Sequence, residues 1–192
     1  MGFAITWCAV PQSVANDFFE KTGLVPTGLT EEIPESAVSI AHLDTGWSIL
    51  WVNDFDCSFL KEAQRQKYSE NHDLIVCQVE EHAMTSIAER WSKGACQWRI
   101  AHEGIDGPSG LETSGALPVD FSTIKVEMED AQKTAGGDQA DVDYIFEIPL
   151  LVAKSIVGFK HDEDCAHLID NTFQVMERPH RKGGFWSRLL GK

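Results

Sequence analysis

The chain has 192 residues, of which 43% are apolar and 24% are charged, a composition typical of a folded domain rather than a disordered chain. Its 16 Lys and Arg residues against 30 Asp and Glu residues give a formal net charge of -14. This charge disfavours broad binding to nucleic acid or to anionic membranes, whereas a basic partner or a cation would be attracted.

No apolar run approaches the roughly 20 residues that a membrane helix requires, and the amino terminus lacks a basic region followed by an apolar stretch. We therefore predict a cytoplasmic protein without stable membrane insertion. The five cysteines form no CxxC pair, and their number is odd. Neither a disulfide framework nor a cysteine-rich zinc site is expected.

The first 80 residues predict two helices and four strands. Apolar alternation indicates strands, whereas three-four spacing and capping residues indicate helices. In chain order, the expected elements are a strand at 3–10, a helix from 13 to 22, a loop at 24–36, strands at 37–43 and 47–53, a helix at 57–69 and a strand at 74–79. The two middle strands form a hairpin around the turn Asp44-Thr45-Gly46.

This element order resembles the ferredoxin-like split βαβ topology over about residues 3–80. The resemblance implies an α+β protein with a largely antiparallel sheet, two helices on one face, and no particular function. Val38, Ile40, Leu50 and Val52 would then meet the helices. The opposite face carries Trp47, Ile49 and Trp51, and a face this aromatic must be covered or must bind something. These three residues are therefore the candidate binding surface.

The band from Leu74 to Glu103 allows two interpretations of residues 80–92. Apolar residues at three-four spacing favour a helix, whereas the turn signal Ser92-Lys93-Gly94 favours a second hairpin. We favour the hairpin, with Trp91 and Ala95 flanking a three-residue loop and Met84 opposite His102. In that register Glu80 and His82 lie near His102 at one end of the sheet.

The second half is expected to extend and cover the first. A loop at 104–115, helices near 121–135 and 149–157 and a last strand near 173 predict that residues 81–177 pack on residues 3–80 within a single domain, 1–177. Residues 178–192 form a basic amphipathic tail with five Lys or Arg residues and no acid. This tail could fold back onto the acidic body or dock a partner.

Two clusters carry candidate chemistry. Glu80, His82 and His102 could perform proton transfer or hold a metal if they converge, although a polar sheet rim would have the same composition. The segment 160–167 supplies metal-ligand types but no recognised ligand spacing, so no metal is expected there; its candidates are His161, Asp162, Asp164, Cys165 and His167. Nucleophile and phosphate-loop motifs are absent from the sequence, and no cofactor is expected.

The sequence contains no motif that identifies an activity. Our leading hypothesis is a small acidic binding or regulatory protein that acts through a protein partner, in the manner of an inhibitor or immunity protein. One alternative is a hydrolase that uses the His/Glu cluster, with or without a metal. The other is a self-associating structural protein that dimerises through the Trp47 and Trp51 face.

Overall fold

The computed structural model describes residues 2–163 and 167–179. These residues form an antiparallel sheet of nine strands with four α-helices, so the predicted α+β class and antiparallel sheet are confirmed. The strands are β1 (Ala4–Pro11), β2 (Val25–Glu31), β3 (Val38–His42), β4 (Trp47–Val52), β5 (Leu74–Glu80), β6 (Thr85–Ser92), β7 (Ala95–Glu103), β8 (Leu111–Gly115) and β9 (Phe173–Glu177). The helices are α1 (Ala15–Thr22), α2 (Glu62–Tyr68), α3 (Phe121–Thr134) and α4 (Glu147–Val157).

The strand order across the sheet is β2-β9-β3-β4-β1-β5-β6-β7-β8. Strands β3, β4, β1 and β5 are consecutive, and the hairpin of β6 and β7 continues the sheet beyond β5. The ferredoxin-like description of residues 3–80 stays a prediction. What the pairing does show is that β1 lies at the centre, with β4 and β5 as its antiparallel neighbours.

Strand β1 is apolar at almost every position because both faces of the sheet are covered. Ile5, Trp7 and Ala9 contribute to one hydrophobic cluster, whereas Cys8 and Val10 contribute to the other. The first cluster contains residues of α3 and α4, and the second contains residues of α1 and α2. The molecule therefore has three layers, with one helix pair on each side of the sheet.

The α1/α2 face matches the sequence expectation for the first hairpin. Ile40, Leu50 and Val52 are buried in the same cluster as the α1 residues Phe18 and Phe19. Helix α1 ends at Thr22, and Gly23 follows in the left-handed conformation that favours glycine. This face is therefore closed by the two helices that the first 80 residues supply.

On the opposite face, α4 packs against β5, β6 and β7, and α3 packs on α4. The buried residues of α4 are Ile148, Pro149, Leu150, Val152, Ala153 and Val157. Phe159, Leu168 and Phe173, which follow in the chain, belong to the same cluster as Trp51. The second half of the chain thus covers the aromatic face of the first hairpin.

Two segments that were expected to be loops contain edge strands. Residues 25–31 form β2, which pairs with β9, and residues 111–115 form β8, which pairs with β7. Most residues of both strands are exposed, so neither has the apolar alternation by which a strand is recognised. Pro26 and the register shift before Thr30 are typical of a sheet edge.

The second hairpin forms, but its predicted register is wrong. Ser92 pairs with Ala95 across a two-residue turn in which Lys93 and Gly94 both have positive φ angles, 53° and 71°. A register shift then follows between Arg90 and Trp91, and His102 lies opposite Ser86 instead of Met84. The paired positive φ angles match the right-handed twist of the strands, which favours this tighter turn.

Within the described ranges, no helix combines the length and the apolar character needed to cross a membrane. The predicted tail at 178–192 lies outside the described residues except for Arg178 and Pro179. The Arg178 guanidinium carbon lies 4.5 Å from the ring centroid of Phe59, on the α1/α2 side of the sheet.

Candidate functional site

A pocket of about 300 Å³ opens beside the aromatic face of β4. It is lined by Phe3, Glu32, Ile33, Pro34, Trp51, His161, Asp162 and Glu163. We call it the aromatic-acidic pocket, because two aromatic rings and three carboxylates contribute to its wall. It brings together Trp51 and His161, which the sequence analysis singled out from two distant segments.

Trp51 forms the floor of this pocket and is only 2% exposed. Its ring lies edge-on to three phenylalanine rings, with centroid distances of 6.1 Å to Phe3, 6.3 Å to Phe159 and 6.2 Å to Phe173. Such edge-to-face contacts add to the stabilisation that burial alone provides. The floor is therefore a fixed part of the core that presents only a small part of the indole to the pocket.

Asn53 connects this floor to the wall of the pocket. Its side-chain oxygen accepts a 2.9 Å hydrogen bond from the indole nitrogen of Trp51. Its side-chain nitrogen donates to the carbonyl oxygens of Pro34 at 2.8 Å and Ser36 at 2.6 Å. The loop that carries Ile33 is thus tied to β4, although the Ile33 side chain itself remains 70% exposed.

Glu81 fixes the position of Phe3 on the other side of the pocket. The Phe3 backbone nitrogen donates to Glu81 Oε2 at 2.8 Å, and the Glu81 backbone nitrogen donates to the Phe3 carbonyl oxygen at 2.9 Å. The remaining carboxylate oxygen, Oε1, lies 3.5 Å from His161 Nε2. One carboxylate therefore contacts both an aromatic wall residue and the histidine behind it.

The His161 side chain is 1% exposed and packs edge-on against Phe3, with ring centroids 4.9 Å apart. Burial lowers the pKa of His161 below its usual value, and the Lys160 charge acts in the same direction, against the opposing effects of Asp162 and Glu81. The ring is therefore neutral at neutral pH. Its Nδ1 atom is buried without a hydrogen-bond partner among the described residues, and Asp162 Oδ1 is 3.8 Å away.

Two of the three pocket carboxylates are paired with lysines. Both oxygens of Asp162 accept hydrogen bonds from Lys160 Nζ, at 2.6 and 2.7 Å, and Glu163 accepts one from Lys154 Nζ at 2.8 Å. Burial opposes ionisation of Asp162, but the Lys160 hydrogen bond and charge, together with the His161 ring once it is protonated at acid pH, hold its pKa below its usual value. Glu32 has no ion-pair partner among the described residues, so the pocket carries net negative charge.

This arrangement suits an organic cation. The aromatic and aliphatic wall can contact the carbon chain of a lysine or arginine side chain, and the rim carboxylates can accept its N–H groups. The pocket suits acid-base chemistry less well. The Glu81 and His161 pair has the composition of a general base, but the ring is almost completely covered and would have to move before a substrate could reach Nδ1.

The other candidate binding residues are less accessible. Ile49 is fully buried beneath the residues that cover the aromatic face, and Trp47 is partly buried against the same cluster. Neither of them lines the aromatic-acidic pocket. Of the predicted binding surface, only Trp51 contributes to this site.

The predicted convergence of Glu80, His82 and His102 is wrong. Val79, Ser86 and His102 are aligned across β5, β6 and β7, so His102 shares their face of the sheet and Glu80 points to the opposite face. His82 lies in a 3-10 turn after β5, and its backbone nitrogen donates to Glu80 Oε1 at 3.3 Å.

His102 has a structural contact instead. It is fully buried, and its Nε2 lies 2.8 Å from Asp143 Oδ2. The other oxygen of Asp143 accepts hydrogen bonds from the backbone nitrogens of Ile145 at 3.0 Å and Phe146 at 3.4 Å. His102 thus holds the carboxylate that organises the chain entering α4.

The candidate metal ligands at 161–167 are dispersed in the described part of the chain. His161 faces Glu81, Asp162 binds Lys160, and His167 lies with its Nδ1 3.1 Å from Asp44 Oδ1. Asp164 and Cys165 lie outside the described residues. Among residues 2–163 and 167–179, no group of three or more His, Cys, Asp or Glu side chains is arranged to hold a metal.

Several pocket residues were not predicted from the sequence. Glu32, Ile33 and Pro34 lie in a segment that was expected to be a loop. No local pattern indicates the Asn53 contacts that tie this segment to β4 at Pro34 and Ser36. The position of Phe3 could have been predicted, because Phe3 alternates with Ile5 and Trp7 along the strand and so shares their face of the sheet.

Comparisons with protein-family models, with curated proteins and with solved structures found no match for this chain. The geometry and charge of the aromatic-acidic pocket are therefore the observations that bear on function.

Proposed function

We propose that the protein is a binding or regulatory protein that acts through a basic protein partner, with the aromatic-acidic pocket receiving one cationic side chain of that partner. The observation that supports this proposal is the combination of Phe3 and Trp51 with the carboxylates of Glu32, Asp162 and Glu163 in one pocket. Exposed Ile33 beside the pocket offers an apolar contact for the partner surface around the cation.

The overall charge supports the same direction. A formal charge of -14 would steer a basic partner towards the protein and raise the association rate, while the pocket would supply a local contact. An inhibitor or an immunity protein against a basic target is the type of regulator that would use this combination.

The two alternative functions lack a supporting arrangement in the described residues. The hydrolase hypothesis required Glu80, His82 and His102 to converge, but the sheet separates Glu80 from His102. Self-association through the Trp47 and Trp51 face would require removal of Phe159 and Phe173 from the Trp51 ring. Both alternatives remain predictions from the sequence.

The proposal can be tested with the peptide Gly-Arg-Gly and its uncharged citrulline analogue. We expect the arginine peptide to shift the indole N–H resonance of Trp51 in a two-dimensional NMR spectrum, and the citrulline peptide to bind more weakly. The Glu32→Gln variant should bind the arginine peptide about threefold to tenfold more weakly, since one charge-assisted contact is lost.

Glu35→Gln is the matched control, because Glu35 lies in the same segment, carries the same charge and does not line the pocket. We expect it to bind with the affinity of the unmodified protein. If Glu32→Gln and Glu35→Gln weaken binding of the arginine peptide equally, the loss of affinity reflects the overall negative charge of the protein and not a contact in the pocket. An unchanged Trp51 resonance at saturating arginine peptide would overturn the assignment of the pocket.

A further inference from the structure

The opposite face of the sheet carries a second concave region with different chemistry. A cleft of about 700 Å³ lies where α1 ends, beside α2 and the chain that leaves β9. It is lined by Lys21, Thr22, Gly23, Ser58, Phe59, Gln64, Tyr68, Arg178 and Pro179. We call it the basic cleft, because two cations and no carboxylate line it among residues 2–163 and 167–179.

The charge of this lining contrasts with the composition of the chain. Acidic residues outnumber basic residues by 30 to 16 in the whole sequence, yet among the described residues Lys21 and Arg178 are the only charged ones that line the cleft. The nearest ion pair joins Lys21 Nζ to Asp17 Oδ2 at 2.7 Å, one helical turn away on the exposed surface. Such i, i+4 surface pairs are weak, so Lys21 can exchange this partner for a ligand at little cost.

Arg178 is positioned in the cleft without an ion pair. Its guanidinium contacts the Phe59 ring, and no carboxylate among the described residues lies within ion-pair distance of it. A guanidinium offers five N–H donors in a fixed plane that matches the geometry of carboxylate and phosphate groups. Its donors are therefore available for an anion.

Tyr68 supplies the second independent feature. The residue is only 3% exposed, and its ring packs against Phe18, yet its hydroxyl has no hydrogen-bond partner among the described residues. The hydroxyl is not among the fully buried polar atoms that lack a partner, so it is the accessible part of this side chain and can hydrogen-bond to a ligand in the cleft. Ser58 and Gln64 add a hydroxyl and an amide to the same lining, and their side chains likewise have no hydrogen bond among the described residues.

We infer that the basic cleft binds an organic oxyanion, a phosphate or a carboxylate, through Arg178, Lys21 and the Tyr68 hydroxyl, with the Phe59 ring contacting its apolar part. The inference is independent of the proposed function, because the two sites lie on opposite faces of the sheet and share no lining residue.

The test uses the full chain and two aromatic probes, phenyl phosphate and benzoate, with benzyl alcohol as the uncharged reference. Binding is followed by NMR through the backbone N–H of Gly23 and the Nε–H of Arg178. We expect at least one anion to shift both signals and benzyl alcohol to leave them unchanged. Preference for phenyl phosphate would identify a phosphate ligand, and preference for benzoate a carboxylate ligand.

Variants distinguish binding at the basic cleft from non-specific electrostatic attraction of the anion to the protein. Arg178→Gln should weaken binding of the preferred anion about tenfold, the value of one strong charge-assisted contact. Tyr68→Phe, which keeps the buried ring, should weaken it about threefold. Lys133→Gln removes the same charge from an exposed position on α3, outside the cleft, and should have no effect.

Each variant must first show an unchanged thermal transition, so that loss of binding is not loss of folding. Equal weakening by Arg178→Gln and Lys133→Gln would overturn the inference, as would anion-dependent shifts that avoid both Gly23 and Arg178.

Discussion

The two concave regions of this protein differ in charge and also in how they are built. The aromatic-acidic pocket has a floor in the core, since Trp51 is buried among three phenylalanine rings and linked to the wall through Asn53. The basic cleft is open, and its principal cation, Arg178, is exposed and held by contact with one partly buried ring. Truncation of the Trp51 floor should therefore affect stability, whereas substitution of the exposed Arg178 should affect ligand binding with little change in stability.

The largest expected effect comes from removing the pocket floor. Trp51→Ala should lower the free energy of unfolding by about 3 to 5 kcal/mol, because it leaves a cavity among Phe3, Phe159 and Phe173. Phe59→Ala, the matched aromatic truncation in the cleft, should cost about 1 kcal/mol because Phe59 is only partly buried. Urea denaturation of both variants measures the difference. Equal losses in the free energy of unfolding would contradict the expected contrast between the pocket and the cleft.

A smaller effect is expected where Asn53 ties the floor to the wall. Asn53→Ala should lower the free energy of unfolding by about 1 to 2 kcal/mol, since the indole loses its acceptor and the carbonyls of Pro34 and Ser36 lose their donor.

The Asn53→Asp variant separates these contributions, because it keeps an acceptor for the indole while placing a carboxylate against the two carbonyls. We expect exchange of the amide hydrogens in residues 32–36 to accelerate in both variants. Unchanged exchange in that segment would show that the wall is held by other contacts.

The smallest effect concerns pH, and it involves one histidine on each face. Burial lowers the pKa of both His161 and His72 below the reference value of 6.5, while Lys21 acts in the same direction on His72. The unfolded chain therefore binds more protons than the native protein just below this pH, so stability falls as the pH is lowered from 7 towards 5. The depressed pKa values of Asp73 and Asp162 act at lower pH, where carboxylates titrate.

The His161→Gln and His72→Gln variants should each lose less stability than the unmodified protein between pH 7 and pH 5. Their double variant should be the least sensitive. Denaturant midpoints at several pH values provide the measurement. A slope in His161→Gln equal to that of the unmodified protein would contradict the burial of a neutral ring beside Phe3.

The sequence predicted the elements with strong local patterns. The apolar runs of β1 and the first hairpin, the glycine at position 46, and the three-four spacing of α3 each reflect a local physical requirement that the structure keeps. Strands β2 and β8 were missed because their pairing is made by backbone hydrogen bonds to distant strands, while their side chains are mostly exposed.

The candidate site was predictable only in fragments. Trp51 stood out through its residue type and position on the hairpin, and His161 through the density of polar residues around it. Their proximity depends on Phe3, Phe159 and Glu81, which meet through long-range contacts. The turn at Lys93 and Gly94 shows another limit of prediction from sequence. The loop is one residue shorter than expected and a register shift follows between Arg90 and Trp91, so the partner of His102 moves by two residues, from Met84 to Ser86.

The position of β9 has a consequence for the order in which the protein is made. Strand β9 lies between β2 and β3, so β2 has no partner strand until residues 173–177 have been synthesised. A nascent chain that has released β1 to β8 can pair seven of those strands, while β2 waits as an unpaired segment. The loop of the aromatic-acidic pocket directly follows β2 in the chain, and His161 arrives late as well. A growing polypeptide would therefore complete this pocket only after β9 has been synthesised.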